Sequence, residues 1–183
     1  HHAGMIGEES VSIRAVRRVY GEITGSDAAH LTPRDIFDIA EGTRPGDREA
    51  ARESFRRFGE VAGDVISQAL TIIDGIVVLG GGLTGAAKYF MPSLLAEMRG
   101  EIGTFAGDRF PRLQMQTYDL DSPEEAAEFV REKSVPVAVP HSEEHVRYHH
   151  IRQTPVVHSK LGASRAIALG AYAFAIAELD RRQ

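Results

Sequence analysis

The sequence contains no cysteine and no tryptophan in 183 residues, and only 7% of its residues are aromatic. A chain without cysteine forms no disulfide and offers no thiolate ligand to a metal, which is typical of a reducing compartment. No apolar run approaches the ~18 residues that a membrane-spanning helix requires, and no leader with a basic and then an apolar part opens the chain. The sequence therefore predicts a soluble, cytoplasmic protein without a membrane partner.

An excess of positive charge is also missing, since the formal net charge is −5 and the isoelectric point is about 5.9. Nucleic-acid binding leaves a basic footprint, so we expect no such partner. The four arginines within residues 47–57 alternate with three acidic residues, as on a solvated helix face. With 43% hydrophobic residues, a chain of this length is expected to form one core. Residues 1–4 are typical of an expression-tag remnant.

Neither common phosphate-binding motif is present, but a glycine-rich junction is. Residues 76–79 form a short aliphatic run, typical of a strand buried on both faces. Gly80, Gly81 and Gly82 follow, and helix-forming sequence comes next. Three glycines let the backbone turn freely, and the start of a helix beside them favours phosphate. The junction is consistent with a nucleotide site in a strand-end crevice, or with a plain turn.

Helical periodicity covers much of the chain. Residues 11–23 predict a first amphipathic helix, and a second begins at Thr32 with a capping box and ends at Gly42. A third is predicted over 47–73. Its Gly59 and Gly63 lie one turn apart, which indicates that another backbone packs closely against them.

The second half of the chain alternates strands and helices. We predict a helical turn through residue 90 and a new helix with Pro92 at its first position. Strands are expected over 113–118 and 135–139. A second capping box, Ser122-Pro123-Glu124-Glu125, predicts a helix over 122–131, and a helix with one face of small residues is expected over 161–180. Residues 140–158 are polar, with a possible short strand at 146–148. The pattern predicts an α/β domain with a mixed or parallel sheet flanked by helices.

Histidines suggest two further sites. His141, His145 and His149 are four residues apart, which would suit a metal site on a helix, but the surrounding residues favour a surface hairpin. His158 lies beside Ser159, yet no nucleophile-elbow motif supports a catalytic pair. We therefore expect no metal site and no hydrolase triad.

Two segments resemble ROK-family sugar kinases. Residues 47–88 combine the Phe55-x-x-x-Gly59-x-x-x-Gly63 helix with Asp74 and the strand that runs into Gly80-Gly81-Gly82. Residues 159–172 resemble the end of the same family. The resemblance implies the actin, hexokinase and heat-shock-chaperone fold, with residues 5–183 as a ribonuclease-H-like C-terminal lobe and the N-terminal lobe absent.

The resemblance also implies a role for the glycine junction. In the family this motif surrounds adenosine, which assigns ATP binding to Gly80, Gly81, Gly82, Leu83 and Thr84. The family's D-x-G-G-T loop, second phosphate loop and catalytic aspartate have no match in the sequence, so no catalytic residue is assigned. ATP, Mg²⁺ and a hexose would be ligands of the full-length enzyme, and this chain alone is expected to be inactive.

The family's zinc motif is absent too, because it consists of cysteines. A glutamate that contacts sugar directly follows that motif in the family, and Glu8, four residues before Ser12, falls where it would lie; Glu9 is a weaker candidate. Either residue could instead be an acid favoured by the dipole of a helix N-terminus.

Three functions therefore remain open. The first is the large lobe of a hexose kinase, the second is a sugar-responsive ROK transcriptional regulator, and the third is a dimerisation or scaffold domain without catalysis. The resemblance also implies a homo-oligomer.

Overall fold

The computed structural model describes residues 6–181 as an α/β arrangement of six helices and seven short strands. The helices are α1 (Ile13–Thr24), α2 (Pro33–Glu41), α3 (Arg48–Leu70), α4 (Ala87–Met98), α5 (Pro123–Val130) and α6 (Ala163–Asp180). The strands are β1 (Val77–Leu79), β2 (Glu101–Gly103), β3 (Arg109–Pro111), β4 (Gln116–Asp119), β5 (Val135–Ala138), β6 (His145–Tyr148) and β7 (Gln153–His158). Single 3₁₀ turns lie at Gly7–Glu9 and Thr84–Ala86.

The predicted boundaries of α2 are confirmed. The Thr32 side chain accepts a hydrogen bond from the Asp35 amide, and the Asp35 carboxylate accepts from the Thr32 amide at 2.7 Å. Gly42 ends the helix with φ 81°, a left-handed conformation that favours glycine. At α5, Ser122 caps the Glu125 amide, but the Glu125 carboxylate accepts from the Asp119 amide instead of completing a box.

The close approach predicted at the α3 glycines is also confirmed. A Cβ added to Gly59 would lie 2.2 Å from the Phe90 carbonyl oxygen, and one on Gly63 would lie 2.5 Å from the Leu94 carbonyl oxygen. The backbones of α3 and α4 are therefore in direct contact. Side chains of both helices, among them the fully buried Phe55, belong to the hydrophobic core.

The break predicted at Pro92 is wrong. Pro92 lies inside α4, which continues unbroken from Ala87 to Met98. Buried side chains on both sides of the proline, among them Phe90 and Leu94, pack into the same core and hold the two halves on one axis. The Ser93 hydroxyl adds a 2.8 Å hydrogen bond to the Arg56 carbonyl of α3. Tertiary packing thus outweighs the helix-breaking tendency of proline.

The main sheet is parallel, with the strand order β1-β7-β4, and two antiparallel hairpins, β2-β3 and β5-β6, stand apart from it. Of the two expected arrangements, mixed or parallel, the three-stranded sheet has the parallel one. The mixed sheet expected for a ribonuclease-H-like lobe does not form among the described residues, because their antiparallel strands pair only within the two hairpins. The surface hairpin predicted in the histidine-rich region is β5-β6. The predicted strand 113–118 is shorter and begins later, at Gln116.

The central strand β7 lies in the segment 140–158, whose polar composition did not predict it. It also contains Pro155, and proline is uncommon in central strands. The parallel register turns the Pro155 nitrogen toward residue 75, just before β1 begins. The Gly75 carbonyl accepts instead from the Thr154 hydroxyl at 2.9 Å. The Gly75 carbonyl therefore has a hydrogen-bond donor although Pro155 has no N–H to offer.

The aliphatic run 76–79 is not buried on both faces as predicted, because Val78 of β1 is 59% exposed and Ile76, just before β1, is 68% exposed. Alpha6, predicted to pack closely through small residues, has no buried residue. Its large apolar side chains are between 50% and 73% exposed: Ile167, Leu169, Tyr172, Phe174, Ile176 and Leu179. Part of the fold thus has an apolar surface that the described residues leave open.

No helix within residues 6–181 is both long and apolar enough to cross a lipid bilayer.

The arginine-rich face of α3 is exposed and paired, as predicted. Glu53 accepts from Arg56 at 2.6 Å and from Arg57 at 2.8 Å. The bond from Arg56 is the largest influence on the pKa of Glu53, which is lowered from 4.5 to about 2 against the effect of burial.

This pairing predicts a pH dependence of stability. Because the pKa is lower in the folded state, Glu53 stabilises the fold above pH 4.5, and this contribution is lost as the pH falls toward 2. Solvent screening limits the effect to about 1 kcal/mol. Urea unfolding at about pH 6 and about pH 3 should show a smaller decline for Glu53→Gln than for the wild type. Glu49→Gln, at a side chain that is 82% exposed, should follow the wild type.

Candidate functional site

The glycine turn lies at the carboxyl ends of two adjacent parallel strands. Beta1 ends at Leu79, which is in register with His158 at the end of β7. The Ser159 amide donates to the Leu79 carbonyl at 2.8 Å and joins the two loops that follow. The glycine turn therefore lies at the carboxyl-end edge of the sheet, the edge at which open α/β sheets bind ligands.

Only one of the three glycines has the backbone conformation that was expected of all of them. Gly81 has φ 104°, which L side chains rarely adopt, whereas Gly80 and Gly82 lie outside the left-handed region. A Cβ on Gly81 or Gly82 would meet nothing within 4 Å. The backbone of the turn is therefore open on the side where a ligand would lie.

Leu83 and Thr84 lead from the turn into the helix. The Thr84 hydroxyl donates to the Gly81 carbonyl at 2.7 Å, and the Thr84 amide donates to the same oxygen at 3.3 Å. Leu83 packs against the hydrophobic core. A 3₁₀ turn over Thr84–Ala86 then runs directly into α4, so the positive end of a helix dipole faces the turn, as predicted.

A slot of about 120 Å³ adjoins the turn on its α2 and α3 side. Its wall includes Pro33, Arg34, Phe37, Phe55, Gly82 and Leu83. Phe55 is fully buried and stacks on Tyr89, so the half-buried Phe37 is the aromatic ring of this wall that can meet a ligand. The Arg34 guanidinium lies 5.3 Å from the centre of the Phe37 ring. Sequence reasoning missed Arg34 and Phe37, because nothing in the α2 pattern distinguishes a slot-lining residue from a core residue.

A polar cluster fixes α2 against α4 beside the slot. Glu41 accepts from Lys88 and from the Tyr89 hydroxyl, and Phe55 stacks on Tyr89 with ring centroids 6.0 Å apart. The bonds from Lys88 and Tyr89 lower the pKa of Glu41, and the bond to Glu41 raises the pKa of Lys88. The cluster keeps Glu41 ionised and holds the helices that form the slot.

A second charged group follows β4 and β7. The Asp121 carboxylate accepts from the His158 amide at 3.0 Å and also pairs with the His158 imidazole Nδ1 and the Lys160 ammonium. Burial opposes the charge of Asp121, but the bonds from Lys160 and His158 outweigh it and lower the pKa from 3.8 to about 2. The partner of the His158 imidazole is thus Asp121. The sequence had predicted no hydrolase pair of His158 and Ser159.

The remaining candidates lie apart from the turn. His141 lies at the bend of the β5-β6 hairpin with φ 62°, His145 begins β6 and His149 follows it. Among residues 6–181, no group of three metal-ligating side chains is close enough to hold an ion. Glu8 and Glu9 lie on the 3₁₀ turn before α1 and both pair with Arg14, at 3.1 and 2.8 Å.

A cavity of about 960 Å³ lies at the opposite edge of the sheet. Residues near the amino ends of β4 and β7 line it, together with the end of α4 and one side of α5. It is separate from the glycine turn, and the sequence pattern gave no sign of it.

A comparison with solved structures finds similarity to the glucokinase of Parabacteroides distasonis, determined at 3.00 Å resolution, with 49% sequence identity and a TM-score of 0.79. The match covers 93% of this chain and 46% of the glucokinase chain, so this chain spans about half of that protein's length. No protein-family model matches the chain, and no curated protein does. Its helices and small sheets are thus arranged like those of part of a glucokinase.

Proposed function

We propose that this chain is the C-terminal, ribonuclease-H-like lobe of a ROK-family sugar kinase, and that it supplies the adenosine-binding wall for ATP-dependent phosphorylation of a hexose. The observation that carries the proposal is the 49% identity with a glucokinase over 93% of the chain. The glycine turn supports it, because its open backbone and the aromatic slot lie together at the ends of parallel strands.

In this proposal the base enters the slot and the ribose lies over the turn. Phe37 faces the base, with the buried Phe55 behind the wall of the slot, and the backbone of Gly81 and Gly82 admits the ribose without a side chain in its path. Leu83 anchors the turn to the core, and the Thr84 hydroxyl holds it closed through Gly81. The chain's contribution is to bind and orient the nucleotide.

Phosphoryl transfer also needs a base for the sugar hydroxyl and Mg²⁺ at the phosphates. No catalytic base is assigned to this chain. The described residues offer no group of three ligands for a metal, and none of the roles proposed for them involves Mg²⁺. Glu8 stays a candidate for sugar binding, with its Arg14 ion pair as a competing role.

The exposed apolar surface suits a lobe of a larger enzyme. The helix α6 has six exposed large apolar side chains, and at the edge of the sheet Val78 of β1 and Ile76, just before β1, are exposed too. A second lobe packed on α6 would bury this surface and close the crevice over the nucleotide. We further propose a cytoplasmic homo-oligomer that binds a sugar and ATP and has no nucleic-acid or membrane partner.

The aromatic slot gives a direct test of nucleotide binding. Phe37→Ala removes one stacking wall, and we expect it to weaken adenosine binding by about tenfold, since a stacked aromatic contact contributes about 1–1.5 kcal/mol. Titration of the chain with adenosine, followed by NMR, measures the change. Val137→Ala on the β5-β6 hairpin should leave binding unchanged, and equal affinity of Phe37→Ala and the wild type would contradict the proposed slot.

A chimaera tests the activity. When this chain replaces the matched segment of the Parabacteroides glucokinase, we expect the product to phosphorylate glucose with ATP, while this chain alone does not. A coupled assay of glucose 6-phosphate measures both. A well-folded chimaera without activity would count against the kinase and favour a regulator or scaffold, whereas turnover by the chain alone would overturn its assignment as half of an active site.

A further inference from the structure

A charged group at the strand ends has no role in the adenosine contacts. Lys160 follows β7, and its ammonium pairs with Asp121, which follows β4. The His158 amide, at 3.0 Å, and the His158 imidazole hold the same carboxylate from the other side. The Lys160 side chain is 76% exposed even so, which leaves the ammonium accessible.

The glycine turn lies between this group and the aromatic slot. Gly82 lines the slot, whereas a Cβ on Gly80 would lie 3.9 Å from the Ser159 Cβ, next to Lys160. Between them the turn is open, because nothing lies within 4 Å of a Cβ on Gly81. In the pose of the proposed function, with the base in the slot and the ribose over the turn, phosphates that continue in the same direction reach the loop after β7, which carries Lys160.

Lys160 is the residue at this edge of the sheet whose charge suits phosphate. The three loops at this edge span residues 80–86, 119–122 and 158–162, and Lys160 is the one cationic lysine or arginine in them. Lys88, at the start of α4, pairs with Glu41 at 2.7 Å beside the slot. An ammonium group is a common partner of phosphate, and its flexible stem allows it to change partners.

Resting on the proposed function, we propose that Lys160 binds the phosphate chain of the nucleotide, and that Asp121 is its counter-ion while no nucleotide is bound. Binding exchanges one ion pair for another, because the ammonium leaves the carboxylate for a phosphate oxygen. The ionised Asp121 then stays close to the phosphates and opposes their charge.

Adenosine and ADP separate the two halves of the proposal, because they share the base and ribose and differ in the phosphates. We expect the wild-type chain to bind ADP more tightly than adenosine. Lys160→Gln should weaken ADP binding by about tenfold and leave adenosine unchanged, as expected for the loss of one charge-assisted contact. Lys160→Arg should keep most of the preference for ADP. Asp121→Asn should tighten ADP binding, since it removes the competing carboxylate.

The control is Arg181→Gln, which removes the same charge at the far end of α6 and should change neither affinity. Titrations followed by NMR measure all of these affinities. If Lys160→Gln leaves ADP binding unchanged, or weakens adenosine and ADP equally, the role of Lys160 is overturned while the nucleotide site stands. If the wild type binds neither ligand, the nucleotide site itself is overturned, and the role of Lys160 with it.

Discussion

Replacing Gly59 by alanine is expected to lower the free energy of unfolding by about 3 kcal/mol, although alanine is the better helix former by about 1 kcal/mol. The new Cβ would lie 2.2 Å from the Phe90 carbonyl oxygen and 2.3 Å from the Ser93 hydroxyl. A backbone carbonyl cannot rotate away, so α3 and α4 must separate. Because α4 follows the glycine turn directly, the same change should weaken nucleotide binding.

Urea unfolding of the variant measures this loss, and α6 offers a matched control. A Cβ on Gly170 meets nothing within 4 Å, and α6 has no buried residue. Gly170→Ala should therefore keep the wild-type stability or raise it slightly. A Gly59→Ala protein as stable as Gly170→Ala would show that the two helices do not approach as closely as the structure describes.

The loss expected for Phe55→Ala is about 3–5 kcal/mol, the largest of any substitution considered. Phe55 is fully buried, stacks on Tyr89 and forms part of the slot wall. Alanine leaves a cavity where the core meets the slot, so adenosine binding should fall together with stability.

Urea unfolding again measures the change, and Phe174→Ala provides the comparison. Phe174 is 71% exposed on α6, so its removal should change the free energy of unfolding by less than about 0.5 kcal/mol. Phe55→Leu, which refills most of the volume, should recover much of the stability but little of the ring stacking. A small effect of Phe55→Ala would place the centre of the core elsewhere.

Local signals were sufficient where the structure depends on local chemistry. The Thr32 and Asp35 capping box and the left-handed Gly42 follow from neighbours in sequence, and both are present. Gly59 and Gly63 lie at helical spacing and are costly in a helix, which was enough to predict a close backbone contact, although the partner, α4, was not identified.

Predictions were wrong where distant residues compete with local preference. Pro92 should end a helix, yet buried residues on both sides of it keep α4 continuous. Proline is disfavoured in a central strand because it has no N–H to donate to the neighbouring strand. At Pro155 this carries no penalty, because the Gly75 carbonyl, distant in sequence, accepts from the Thr154 hydroxyl. The burial of β1 was overestimated, because an aliphatic run shows that a strand can be buried, not that the described residues cover it.

The sequence by itself determined the turn at Gly80, Gly81 and Gly82, the strand before it, the helix after it and the resemblance to sugar kinases, since all of these depend on residues close together in the chain. Only the tertiary structure decided which residues surround the turn. Phe37 comes to it from α2, and Lys160 and Asp121 come from the ends of β7 and β4. Strand order and helix packing determine such neighbours. Both depend on contacts between residues distant in sequence, which a local sequence pattern does not predict.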